Sequence, residues 1–151
     1  MTIEVGEPGN TEAVLVVRRV IKASPERLFA AWTEPKHLMA WWGPADVVCP
    51  QAEVDLRVGG LYRLANQMPD GQVHWIEGRF ETIEPPHRLV YSWSMGGDAA
   101  PSERVTVRFD SQGAATEVVV RHERIRDPET LRTHGLGWEG CLDGLKGYAE
   151  A

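Results

Sequence analysis

Residues 103–125 read ERVTVRFDSQGAATEVVVRHERI. Two alternating runs, Glu103–Asp110 and Thr116–Ile125, flank Ser111-Gln112-Gly113. Strict alternation across a short glycine-containing link predicts an antiparallel hairpin. In the first run Arg104, Thr106 and Arg108 oppose Val105, Val107 and Phe109. In the second, Glu117, Val119, Arg121 and Glu123 oppose Val118, Val120 and His122. Successive side chains of a strand point to opposite faces, so one face of this hairpin is charged and the other needs a cover.

The same period extends towards the N-terminus through Val47–Asp55, Leu61–Met68, Val73–Ile83 and Leu89–Met95. The links are turn-forming: Val58-Gly59-Gly60, Pro69-Asp70-Gly71, Glu84-Pro85-Pro86 and Gly96-Gly97-Asp98. Short links between consecutive strands predict an antiparallel meander. The inward parity carries Tyr62, Leu64 and Asn66, then His74, Ile76 and Phe80, then Leu89, Tyr91 and Trp93. Ala13–Lys22, rich in Val, adds a seventh strand. Between it and the meander lie two short helices. Ser24-Pro25 is a cap followed by proline at the first helical position, and Pro35 restarts a second helix that Gly43-Pro44 ends. Residues 1–12 read as a flexible leader and 13–151 as one domain.

Asp127-Pro128 opens a C-terminal helix on which Trp138, Cys141, Leu142, Leu145 and Tyr148 share a face. Glycines 135, 137, 140, 144 and 147 each cost a helix about 1 kcal/mol relative to alanine, so this helix must be held by packing on the sheet. The fold class is α+β: a seven-stranded antiparallel sheet, two short helices after the first of those strands, and a long C-terminal helix.

A length of 151 residues suits one domain with a real core. The net charge of −6 argues against nucleic acid and anionic membrane surfaces as partners. Cys49 and Cys141 form no CxxC pair and no disulfide framework, and the acidic start MTIEVGEPGN lacks the pattern of a signal peptide, so a cytoplasmic location is expected. Gly135-Leu136-Gly137-Trp138-Glu139-Gly140 matches the dinucleotide fingerprint in letters only, because no strand precedes it and no acidic partner follows about 20 residues on. No histidine pair has ligand spacing on a common face, and no nucleophile elbow occurs, so neither a metal, a cofactor nor a catalytic set is assigned.

Six tryptophans and a set of polar-tipped inward residues suit an aromatic-lined pocket between sheet and helix. The candidate ligand-binding residues are Trp41, Tyr62, His74, Tyr91, Trp93, His122 and Trp138. The expected ligand is a small hydrophobic or aromatic molecule. An alternative is a cyclase- or hydrolase-like enzyme using His74 or His122 as general base. Of the adjacent Trp41 and Trp42, one is expected to enter the core and the other to cap a cavity rim or a partner surface, and the sheet edges leave both monomer and homodimer open.

Ser24-Pro25-Glu26-Arg27-Leu28-Phe29-Ala30-Ala31-Trp32-Thr33-Glu34-Pro35, Trp41-Trp42-Gly43-Pro44, Asp55-Leu56-Arg57-Val58-Gly59-Gly60, Glu84-Pro85-Pro86-His87-Arg88-Leu89-Val90 and Gly137-Trp138 occur in that order. Together they resemble the AHSA1-like (activator of Hsp90 ATPase homologue) family of the START/Bet v1-like (SRPBCC) superfamily. The resemblance implies a helix-grip fold, with the sheet bent around the C-terminal helix. It also implies a small-molecule binder, or an Hsp90-type chaperone interaction module.

Overall fold

The computed structural model describes residues 2–5, 13–43, 46–95 and 103–151. Its strands are β1 (Thr2–Val5), β2 (Ala13–Ile21), β3 (Ala52–Val54), β4 (Leu61–Gln67), β5 (Val73–Glu84), β6 (Arg88–Met95), β7 (Glu103–Gln112) and β8 (Ala115–Ile125). The helices are α1 (Pro25–Thr33), α2 (Pro35–Trp41) and α3 (Pro128–Ala149). All strand pairs are antiparallel, in the spatial order β1-β2-β8-β7-β6-β5-β4-β3. The six consecutive strands β3 to β8 form the expected meander. The long N-terminal strand then pairs with the last one, Val17 opposite Val120, which no local signal announces.

Two elements differ from the sequence expectation. Within the stretch expected to be a leader, Thr2–Val5 form β1 and pair with β2, Thr2 opposite Val16 and Val5 opposite Ala13, so the seven-stranded sheet gains an edge strand. The rest of that stretch, 6–12, lies outside the described residues, as does the loop at Gly96-Gly97-Asp98. The strand expected over Val47–Asp55 is reduced to β3, with an isolated bridge from Val48 to Gln67. Pro50 lies between the two and has no N–H to give the ladder.

Helix starts follow from capping. Ser24 Oγ accepts from Arg27 N at 3.1 Å, and Asp127 carboxylate oxygens accept from Glu129 N and Thr130 N at 3.3 Å each. The inner face of the sheet, α1, α2 and α3 enclose one core. Trp32, fully buried, sits among Trp41, Trp42, Phe109 and Trp138, with ring centroids 5.0–6.2 Å away. On the outer face Arg63 pairs with Glu77 at 2.8 Å and Arg104 with Glu81 at 3.0 Å; such exposed pairs each contribute roughly 0–1 kcal/mol. Among the described residues no helix is long and apolar enough to cross a membrane.

Two glycines mark where backbones meet. A Cβ on Gly144 would lie 3.0 Å from the Trp41 carbonyl oxygen, so α3 approaches the end of α2 closely. A Cβ on Gly78 would lie 1.8 Å from the Ser92 carbonyl oxygen, just before the register shift of β5 against β6 between Phe80 and Thr82. Gly147, by contrast, faces open space. Gly78→Ala is therefore expected to lower stability by more than about 2 kcal/mol, and Gly147→Ala to raise it by up to about 1 kcal/mol. Urea unfolding midpoints check both, and a neutral Gly78→Ala would show that β5 and β6 can part there without cost.

Candidate functional site

α2 ends at Trp41, and Trp42 takes an extended backbone with ψ 136°; both indoles are buried and meet edge to face with centroids 5.4 Å apart. Trp41 turns into the core and donates from Nε1 to the Ala31 carbonyl at 2.8 Å. Trp42 donates to Asn66 Oδ1 of β4, also at 2.8 Å. There it meets Trp93 of β6 and Trp138 of α3, with centroids 6.4 and 5.5 Å away. These three indoles, with Ile76 of β5 and Met95 of β6, wall a cavity of about 160 Å³. Gly137, His134 and Cys141 of α3 complete its floor, and the exposed Thr133 and Met95 mark its mouth. A Cβ on Gly137 would meet nothing within 4 Å, so the absent side chain is part of the empty space.

Behind the cavity runs a polar chain whose hydrogen positions follow from chemistry. Trp138 Nε1 lies 3.0 Å from His122 Nδ1, and an indole N–H can only donate. His122 therefore accepts at Nδ1 and carries its proton on Nε2, which it donates to Glu103 Oε1 at 2.6 Å. His134 Nε2 lies 3.1 Å from the same oxygen and donates to it as well. The two imidazoles, one from β8 and one from α3, stack with centroids 4.7 Å apart. Burial, the largest influence, raises the Glu103 carboxyl, but hydrogen bonds from the two histidines, joined by their charges once the rings are protonated at low pH, outweigh it and bring the group down to about 2. Burial is also the largest influence on His122 and lowers it, because the imidazolium form has no water around it.

Of the residues singled out by sequence, Trp93 and Trp138 line the cavity. His122 stands directly behind them, fully buried, with both ring nitrogens engaged. Trp41, Tyr62 and Tyr91 belong to the core away from the cavity. Tyr62 packs on Tyr91 with centroids 4.6 Å apart, and Tyr91 Oη accepts from Trp32 Nε1 at 3.3 Å. Burial pushes both tyrosine hydroxyls above their ordinary range. His74, expected inside, is exposed: it shares the inward parity but sits at the second position of β5, beyond the reach of the helix cover. Neither His74 nor His122 thus presents a free basic nitrogen to the cavity.

Glu103 and His134 are the site residues that sequence reading passed over, and Trp42 rather than Trp41 is the member of the tryptophan pair at the cavity. The signals for both missed residues existed. Glu103 shares the inward parity of Val105 and Val107, and His134 precedes Trp138 by one helical turn. The tertiary structure also brings Glu103, His122 and His134 together with potential ligand atoms within 4.8 Å of one another, although no local spacing pairs the histidines. They do not fit a cation. With Nδ1 of His122 accepting from Trp138, its Nε2 bears a hydrogen and has no lone pair to give.

A cavity between an antiparallel sheet and the C-terminal helix it grips defines a helix-grip protein. The chain belongs to the Activator of Hsp90 ATPase homolog 1-like family, whose model matches residues 22–150. No curated protein matches it. Among solved structures it is similar to a protein of Chromobacterium violaceum, at 28% identity and TM-score 0.83, over 91% of this chain and 97% of that one. The AHSA1 protein of Silicibacter pomeroyi shares the fold at 24% identity and TM-score 0.79, over 89% and 96% of the two chains. An HSP90 activator of Plasmodium falciparum matches at 28% identity and TM-score 0.58, over 74% and 73%.

The polar chain makes stability pH-dependent with a definite sign. An unfolded histidine takes up a proton near pH 6.5 that folded His122 resists, so stability is complete above that pH and falls as the pH drops below it. An unfolded glutamate takes up a proton near pH 4.5 that Glu103 refuses until about 2, so its contribution is present above pH 4.5 and lost as the pH falls towards 2. The melting temperature is therefore expected to decline between pH 7 and 5 and again below 4.5. His122→Phe should flatten the first decline; an unchanged slope in that variant would place the proton uptake elsewhere.

Proposed function

We propose that the protein binds a small hydrophobic or aromatic molecule in the cavity between β4–β6 and α3. The observation that supports this most is the lining: three indoles, Ile76 and Met95 around about 160 Å³, with Gly137 leaving space in the floor. An apolar protein cavity of roughly 150 Å³ is large enough to take benzene, so one aromatic ring is the scale of guest that fits. The proposal places this binding in a reducing cytosol, supported by two buried free thiols, Cys49 and Cys141.

A chaperone partner is the weaker reading. It is supported by the family and by the likeness to the Plasmodium falciparum HSP90 activator. The aromatic ridge that suggested a docking surface is not exposed, because Trp41 and Trp42 are each 4% accessible.

The test is thermal unfolding with toluene as the probe. At a hundredfold excess over its dissociation constant, a guest contributes about 2.7 kcal/mol, or roughly 5–10 °C for a domain of this size. Gly137→Leu should fill the floor and abolish the shift, while removal of a helix glycine keeps the fold at least as stable as before. No shift in the natural protein, or an equal shift in Gly137→Leu, overturns the reading.

A further inference from the structure

Two polar side chains at the edge of the cavity are engaged within the protein. Thr133 Oγ1 donates to the Glu129 carbonyl at 2.9 Å, and Asn66 Oδ1 accepts from Trp42. Burial pushes the Cys141 thiol up to about 12, so it stays protonated. His134 is different. Its Nε2–H is committed to Glu103, and among the described residues Nδ1 has no protein partner. A carboxylate that fixes one imidazole nitrogen also sets the tautomer and the direction of the other, which becomes an oriented acceptor. The ring lines the cavity and meets Trp93 edge-on, with centroids 6.0 Å apart. Trp93, 94% buried by its 6% accessibility, keeps its own indole N–H without a partner. An acceptor at His134 and an unmet donor on Trp93 thus belong to the same aromatic wall.

Building on the cavity-binding reading, we propose that the natural guest is a hydroxyaromatic compound, a phenol, whose O–H donates to His134 Nδ1. Glu103 acts as a positioning residue, holding the ring through Nε2–H, and His122 holds Glu103. The indole N–H of Trp93 is available to an acceptor oxygen on the same guest. The aromatic ring packs among Trp42, Trp93 and Trp138 as the apolar walls require.

Three single-ring probes of similar size separate the outcomes: p-cresol, toluene and 4-methylanisole, which keeps the oxygen but cannot donate. A hydroxyl that found no partner would weaken binding, since its desolvation is uncompensated. A partnered one should make p-cresol bind about 10-fold more tightly than either other probe. Titrations of the full chain labelled with nitrogen-15 at histidine should also move the His134 Nδ1 resonance with p-cresol and leave it in place with toluene. In His134→Phe the preference should shrink to within about twofold, the limit of an ordinary size match. Toluene binding as tightly as p-cresol overturns the phenol proposal and leaves the cavity reading standing. Failure of all three to bind overturns both, and a preference that survives in His134→Phe assigns the hydroxyl to another group. The comparison among probes is made on the natural protein, so it holds even if the variant folds poorly.

Discussion

The structure depends on how Trp138 seats the C-terminal helix. Five glycines leave α3 unable to stand alone, at a cost of about 1 kcal/mol each relative to alanine. Trp138 supplies what they do not. Its ring stacks on the buried Trp32 of α1 with centroids 6.0 Å apart and planes 16° apart, and its N–H is received by His122 of β8. One side chain thereby ties three elements that are far apart in sequence. The glycines then become useful: Gly144 lets α3 close on the end of α2, and Gly137 leaves the cavity open.

The same contact organises the polar chain. Because Trp138 can only donate, it determines the tautomer of His122, which determines what Glu103 receives, which in turn leaves His134 with one directed nitrogen. A network of this kind in a low-dielectric setting is costly if any member is unsatisfied and rigid when all are met. Here both ring nitrogens of His122 and one carboxylate oxygen of Glu103 are engaged, and a free nitrogen is left on the ring that borders the cavity.

Most of the sheet was legible in sequence because alternation reports burial strand by strand, as in Val105-Thr106-Val107-Arg108-Phe109. The helix starts at Ser24-Pro25 and Asp127-Pro128 were legible because capping is local chemistry. The candidate site was only partly legible. Parity shows which face a residue takes, but not how far along the strand the cover extends, and this is why His74 is exposed while Ile76, two residues on, is buried. Nor does adjacency of Trp41 and Trp42 reveal which of them reaches the cavity; one extended residue at the end of α2 decides it.

The sequence by itself determined the order of elements, the apolar face of each strand, the need for α3 to dock and membership of the family, since all of these rest on spacing within a few residues. Only the tertiary structure decided that β2 closes against β8, that Thr2–Val5 extend the sheet, and that Glu103, His122 and His134 converge. Those outcomes join positions separated by long stretches of chain. The register and helix placement that create them are set by the packing of the whole core around Trp32 and Trp138, which no local pattern encodes.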